Sequence, residues 1–315
     1  MYNVRETSME TPHIPVLLNE VLESFKDVGE GYFVDCTLGY AGHSSEMLAK
    51  YIDLKHIGID RDDEALAFSK KRLESYEGRS RLYKGTFANV FPTLTETPIM
   101  AVLADFGVSS LQLDKKERGF SFTSETLDMR MDASSDLSAY EVVNAYPKEK
   151  LEYIFDAYGE VHAYKKLAAA VVEARTQTPI GSAKELSQIA IDTLGTHGKI
   201  HPATLMFQAI RIEVNNELGE IEGLLDALEH THVKGEVVSL ISFHSLEDRL
   251  VKNRFKKWAQ ACICDPQAMR CTCGKNHAIG KAFSSKPVTA TKAELKVNPR
   301  SRSAKLRSFR FKKDA

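Results

Sequence analysis

No apolar run in this 315-residue chain approaches the length of a membrane-spanning helix, which argues against a helical integral membrane protein. Met1 to Thr11 is polar and lacks the hydrophobic stretch of a secretory signal. Neither signal peptide nor anchor is expected, and the expected location is the cytoplasm, with no membrane partner. Cysteine is scarce, at five residues, and in a cytoplasmic chain these are not expected to pair as disulfides. Two glycine signatures are also missing. The dinucleotide pattern G-x-G-x-x-G is incomplete, with only Gly39 and Gly42 present, and G-x-x-x-x-G-K-[ST] occurs nowhere. Their absence argues against nicotinamide-dependent hydride transfer and against P-loop phosphoryl transfer. There is no internal repeat and no long low-complexity segment.

What is present suits a soluble globular protein with one large α/β core or two domains, at 43% hydrophobic and 27% charged residues. The net charge of −1 conceals a dipole. Residues 1–249 hold 25 Lys and Arg against 40 Asp and Glu, whereas residues 250–315 hold 17 against 3. An acidic body with a basic end is the pattern of a phosphate-seeking surface, although a solvated lysine-rich tail would have the same composition. Four of the five cysteines, Cys262, Cys264, Cys271 and Cys273, form a C-x-C-x6-C-x-C cluster beside His277. Zinc and free thiols are the alternatives there, because a C-x-C pair chelates a single ion less comfortably than C-x-x-C. Cys36 sits inside a strand pattern and reads as a small core residue.

The most informative stretch is Phe33-Val-Asp-Cys-Thr-Leu-Gly-Tyr-Ala-Gly-His43. A short strand, Tyr32 to Cys36, runs into a glycine turn that opens a helix at Ser44, and a second strand, His56 to Asp60, ends on an acid. That is a nucleotide-binding βαβ unit with the acid placed for a ribose hydroxyl. Asp35 at the first strand end suits a ligand with a cationic amino-acid end, such as S-adenosylmethionine, better than one with a pyrophosphate. A helix from Asp62 to Ser75, a strand at Arg81 to Lys84 and a strand at Met100 to Ala104 ending on Asp105 continue the alternation. In a doubly wound sheet Asp35, Asp60 and Asp105 would line one crevice at the carboxyl ends of the strands.

The next buried strand pattern, Glu236 to Ser242, comes far later than a crossover needs. The gap carries helical patterning at Ala139 to Asn144, Lys148 to Tyr158, Tyr164 to Arg175 and Ala183 to Thr193. One long amphipathic helix is expected from Ala203 through Leu218 to Leu228. A basic helix is expected from Leu250 to Trp258, and Lys305 to Phe311 could add an edge strand. The predicted organisation is a Rossmann-like doubly wound sheet from 1–110 and 203–315, with an all-helical insert at 111–202.

These segments, taken together and in order, carry a resemblance. The chain resembles the bacterial MraW family of 16S ribosomal RNA cytosine-N4 methyltransferases along nearly its whole length. The likeness rests on His13-Ile-Pro-Val-Leu-Leu-Asn-Glu20, Asp35 to His43, Gly58-Ile-Asp-Arg-Asp62, Phe106-Gly-Val-Ser-Ser110, Gln112-Leu-Asp114 and Glu117 to Phe122. Leu127 to Asp132, His201-Pro-Ala-Thr204, Phe207-Gln-Ala-Ile-Arg211, Ile241 to Arg249 and Asn298 to Arg307 complete it.

The resemblance implies a methyltransferase fold, S-adenosylmethionine as methyl donor, and 16S rRNA of the small subunit, in its decoding region, as substrate. It assigns donor contacts to Ala41, Gly42, His43, Asp60, Phe87, Asp105 and Gln112. His43 could instead only start the helix, and Asp105 could be a donor-binding carboxylate only. As the catalytic residue, Asp105 would accept an N–H of the cytosine amine so that the nitrogen can aim its lone pair at the methyl group. Phe106, Phe120, Phe122 and Phe243 are candidates for a base-holding slot. Arg118, Arg130, Arg249, Arg300, Arg302 and Arg307 are candidates for phosphate contacts, and the insert is expected to read RNA shape. The sequence departs from the family at Phe106, where Leu is usual, at Leu111, where Pro is usual, and at Val161 to Lys166, where the family is richer in arginine. A non-catalytic rRNA-binding assembly factor with the same fold is the alternative, and a homodimer and metal content are left open.

Overall fold

The computed structural model describes residues 14–196, 201–265, 267–268 and 270–315. The polar segment Met1 to Thr11 and His13 lie outside the described residues.

Strands β1 (Gly31–Asp35), β2 (Leu54–Asp60), β3 (Ser80–Lys84), β4 (Ile99–Asp105) and β5 (Val237–Ser242) pair in parallel in the order β3-β2-β1-β4-β5. That is the doubly wound order, with its switch point between β1 and β4. Register explains why these strands read as continuous apolar runs. Val34 lies opposite Ile57 and Val102, and Val102 opposite Val238, so one row of β-branched side chains crosses the sheet. This row packs on α11 (Glu217–Thr231) and α12 (Ser245–Trp258) through Leu224, Leu228, Val251 and Phe255. The alternate row, Phe33, Ala101 and Val237, faces α1 (Leu18–Ser24) and α2 (Gly42–Lys50) through Val21 and Met47. Both faces are covered, as a parallel sheet requires.

Three antiparallel strands complete the sheet: β6 (Gly280–Ala282), β7 (Val288–Thr289) and β8 (Lys305–Phe311). Here the edge expectation for Lys305 to Phe311 is corrected. β8 lies inside the sheet, with β5 on one side and β6 and β7 on the other. Its alternation arises because Leu306, Phe309 and Phe311 are buried while Arg307 is absorbed by an ion pair to Asp248 at 2.7 Å.

Between β4 and β5 lie α5 (Ser110–Asp114), α6 (Ala139–Ala145), α7 (Lys148–Ala157), α8 (Tyr164–Gln177), α9 (Ala183–Leu194) and α10 (Thr204–Asn215). Helices α6 and α9 start at capping boxes, Ser138 with Glu141 and Ser182 with Glu185. Their apolar faces share one core that runs from Phe120 to Val214 and draws on α10. The single long helix expected from Ala203 to Leu228 is two helices, α10 and α11. Asn216 takes a left-handed conformation (φ 49°, ψ 39°) and breaks the run, a geometry that Asn tolerates better than most residues. Helix α12 starts at Ser245, earlier than expected, because the Glu247 carboxylate accepts the Phe243 and His244 N–H groups just before it. The remaining helices are α3 (Asp63–Arg72), the single turn α4 (Phe87–Val90) and α13 (Lys292–Val297). No helix among the described residues is long and apolar enough to cross a membrane.

Candidate active site

The carboxyl ends of β1, β2 and β4 open into a cavity of about 380 Å³, within the size range of small-molecule sites. Gly42, His43, Asp60, Phe87, Asp105 and Gln112 line it; Asp35 and Ala41 do not.

Asp35 is committed behind the glycine turn. Its Oδ2 accepts from Ser44 Oγ at 2.6 Å and its Oδ1 from the Thr37 N–H at 3.1 Å. Burial pushes its carboxyl up to about 6, against the pull of those two hydrogen bonds. The turn itself is strained: Ala41 is fully buried with φ 54°, a costly geometry for a residue with a Cβ. No side chain caps α2, so the N–H groups of its first turn are left for a ligand. A Cβ at Gly42 would stand 2.7 Å from Pro15 Cγ, so only glycine lets the N-terminal segment close over this turn.

Asp60 accepts the Gly39 N–H at 2.7 Å on Oδ2 and the Asp62 N–H at 2.9 Å on Oδ1, leaving each oxygen one further lone pair. Asp62 is a hub. It caps α3 at Glu64, accepts Gln112 Nε2 at 2.8 Å and pairs with Arg118 at 3.0 Å. Gln112 also accepts the Ser109 N–H at 3.0 Å and thereby pins α5 to the rim. Phe87 is buried with its ring 6.0 Å from that of Phe106.

Asp105 is the outlier. Its Oδ1 is buried and has no hydrogen-bond partner, while its N–H donates to Thr37 Oγ1 at 2.7 Å. Burial, with Asp35 and Glu247 nearby, pushes its carboxyl well above the usual carboxylate range.

His43, in the first turn of α2 and on the cavity lining, also has a contact that neither reading of the sequence named. Its Nε2 lies 2.8 Å from the Val16 carbonyl oxygen, so the ring clamps the N-terminal segment. Burial holds its pKa down at about 4, which makes it neutral at physiological pH and an Nε2–H donor. The C-terminal arm reinforces the same segment. Glu294 Oε1 accepts the Leu17 N–H at 2.8 Å, and Asn298 Nδ2 donates to the Ile14 carbonyl at 3.0 Å. Both ends of the described chain therefore build the rim.

On the far wall, Phe243 and Glu247 come from the segment Ser242 to Arg249 that follows β5, and sequence reasoning did not join Arg211 and Glu217 to them. Arg211 makes two hydrogen bonds to Glu217, at 2.7 and 3.0 Å, and Glu247, fully buried, accepts the Phe243 N–H at 2.8 Å. Burial raises Glu247, but His244, Arg211 and that N–H outweigh it and hold the carboxyl below its ordinary value. Arg211 and Glu247 both lie in segments that carry the family resemblance; Glu217, just past the Asn216 break, has no sequence signal.

Of the aromatic candidates, Phe106 and Phe243 line the cavity. Phe120 and Phe122 belong to the helical core instead, where Phe122 stacks on His201 with ring centroids 4.5 Å apart. Most of the candidate arginines are engaged. Arg118 holds Asp62 and the carbonyls of Arg130 and Met131, Arg130 holds Asp128, and Arg249 holds Glu160. Arg300 pairs with Asp114 and Arg307 with Asp248. Arg302 is exposed.

A sheet whose strand ends surround an uncapped helix start, with buried carboxylates on the cavity wall, defines a doubly wound α/β protein with its crevice at the carboxyl ends of the strands, where such folds take their ligands. The chain belongs to the MraW methylase family, whose model matches residues 10–312. It is similar to the ribosomal RNA small subunit methyltransferase H of a Sulfurovum species, with 79% identity over 307 residues, spanning 98% of this chain and 100% of that one. The protein of the same name from a Nitratiruptor species is 57% identical over 305 residues, spanning 96% and 100%. That from Aliarcobacter butzleri is 56% identical over 303 residues, also spanning 96% and 100%.

Proposed function

We propose that this protein transfers a methyl group from S-adenosylmethionine to the exocyclic N4 of a cytosine in the decoding region of 16S rRNA in the small ribosomal subunit. The observation that carries the reading is Asp105, a residue of the strand-end cavity wall whose buried Oδ1 has no partner within the protein.

The residues present fit the donor. The free N–H groups at the start of α2 suit its carboxylate. The spare lone pairs of Asp60 suit the ribose hydroxyls, and the flat face of Phe87 suits the adenine. Gln112, His43 and Ala41 shape this surface: Gln112 fixes α5, His43 fixes Val16 and Ala41 makes the turn. When bound, the donor supplies an electrophilic methyl group on a cationic sulfur.

Asp105 works on the acceptor. The cytosine amine is a poor nucleophile because its lone pair is delocalised into the ring. An N–H held by the Asp105 carboxylate would let the nitrogen pyramidalise, and the same group would take the proton that the methylated nitrogen sheds. Burial alone favours the protonated carboxyl, and a cation beside it shifts it back toward the carboxylate. Phe106 and Phe243 offer apolar faces for a base taken out of its stack. The helical unit, 111–202 by sequence with α10 completing its core, is the proposed reader of RNA shape.

The test is to incubate the protein with methyl donor and either free 16S rRNA or intact small subunits, and then to measure N4-methylcytidine by nucleoside mass spectrometry. Formation of that nucleoside on either substrate supports the reading. Its absence from both sinks it.

A further inference from the structure

Cys262, Cys264, Cys271 and Cys273 lie on the connection between α12 and β6, and their sulfurs are all within 4.8 Å of one another. Cys262 lies 3.6 Å from Cys271 and 3.5 Å from Cys273; Cys271 lies 3.9 Å from Cys264 and 3.6 Å from Cys273. A disulfide needs about 2.05 Å, and all four cysteines are free thiols. A tetrahedral zinc ion with Zn–S bonds of about 2.3 Å places its ligand sulfurs about 3.8 Å apart along every edge. The observed separations cluster around that edge.

The surroundings give the same answer. Between Trp258 and Gly280 the chain has no regular helix or strand beyond the end of α12 among the described residues, and its buried apolar contribution there is Ala278. Ile263 is 60% exposed. The base of the connection is closed by backbone hydrogen bonds from Ile279 to Trp258 at 2.9 Å and from His277 to Ala261 at 3.1 Å. A connection with so little core needs a staple to hold one shape. The Thr272 N–H points at Cys264 Sγ at 3.3 Å, the kind of outer contact that stabilises a thiolate ligand. The other group with ligand geometry, Glu217, His244 and Glu247, is already engaged, because Glu217 holds Arg211 through both oxygens.

We propose that these four cysteines bind one structural zinc ion and that the ion, not a hydrophobic core, orders the connection. The ligand set is complete at four, which leaves no open position for catalysis. Each thiol gives up its proton on binding, so the site carries two net negative charges, in a segment (residues 250–315) with 17 Lys and Arg against 3 Asp and Glu. The reading is independent of methyl transfer.

The test uses the full chain, expressed without a metal-affinity tag and purified under reducing conditions. Elemental analysis should find about one zinc per chain, released by a mercurial that titrates the thiols. Replacing the zinc with cobalt should give the visible bands of a tetrahedral tetrathiolate site. The double substitution Cys264→Ser and Cys273→Ser should lower zinc to less than about a tenth of an equivalent. Trypsin should then cut after Arg270 and Lys275 about tenfold faster or more, as it should after chelation of the unmodified protein. Less than about a tenth of an equivalent of zinc in the unmodified protein, together with no cobalt spectrum, would overturn the proposal. So would zinc retained in the double variant, or iron found in place of zinc. The metal content of the unmodified protein decides the matter even if the variant fails to fold.

Discussion

In the helical insert, buried polar groups are matched locally. Ser138 and Ser182 cap helices whose Glu141 and Glu185 return the bond, Asn144 bridges Tyr140 and Ile180, and Arg175 satisfies the carbonyls of Val143 and Tyr146. Around the cleft the matching is incomplete. Asp105 Oδ1 and Thr86 Oγ1 are buried without partners, whereas among the described residues 111–202 only Ser124 Oγ is in that position. A buried acceptor left open costs about 1–3 kcal/mol. The insert is built for stability, and the cleft gives some stability up in order to meet a ligand.

Substitutions should separate these two regimes, and the largest effect belongs to the insert. Phe155 is fully buried in its core. Phe155→Ala should cost about 3–5 kcal/mol of unfolding free energy by denaturant titration, while leaving donor affinity at the folded cleft unchanged by calorimetry. A drop in donor affinity at temperatures where the variant is folded would break the comparison.

Asp105→Asn should behave in the opposite way. Methylation, read by nucleoside mass spectrometry, should fall by about 10²–10³-fold. The melting temperature should hold or rise, since an unpaired buried carboxyl has been removed. A lower melting temperature with full activity would mean that Asp105 is structural. A cell that keeps its ribosome assembly intact with this variant would favour the assembly-factor alternative.

The smallest effect concerns Glu236 at the start of β5, which is buried, with Oε1 unpartnered and Oε2 accepting the Val233 N–H at 3.1 Å. Burial raises its carboxyl to about 8. The folded protein thus holds this proton more tightly than the unfolded chain does. Its contribution is complete below the unfolded value of about 4.5 and is lost as the pH rises through about 8. Glu236→Gln should flatten the stability profile across that window and gain most over the parent at its alkaline end. Parallel profiles for the two proteins would remove Glu236 from the account.

The strands were legible because their cause is local. Alternate residues of β4 and β5 face two covered surfaces, and that produces the unbroken apolar runs seen in the sequence. Strand-end acids were legible as positions but not as roles. The bonds from Asp35 to Ser44 and from Gln112 to Asp62 depend on which way each side chain turns, and spacing does not encode that. The break at Asn216 was hidden because the apolar periodicity continues through it. The interior place of β8 was hidden because β6 and β7, at three and two residues, are too short to show a pattern. The role of His43 needs a partner 27 residues away, and convergence of the four sulfurs needs the loop to fold back on itself.

The rim of the cleft joins Ile14 and Leu17 to Asn298 and Glu294, and β8 enters the sheet beside β5. Synthesis runs from the N-terminus, so a nascent chain has its strand-end acids long before it has the arm that closes over them. The cleft is therefore finished last. A protein whose family acts as methylases acquires its complete binding rim only once its C-terminal arm has emerged from the ribosome that is making it.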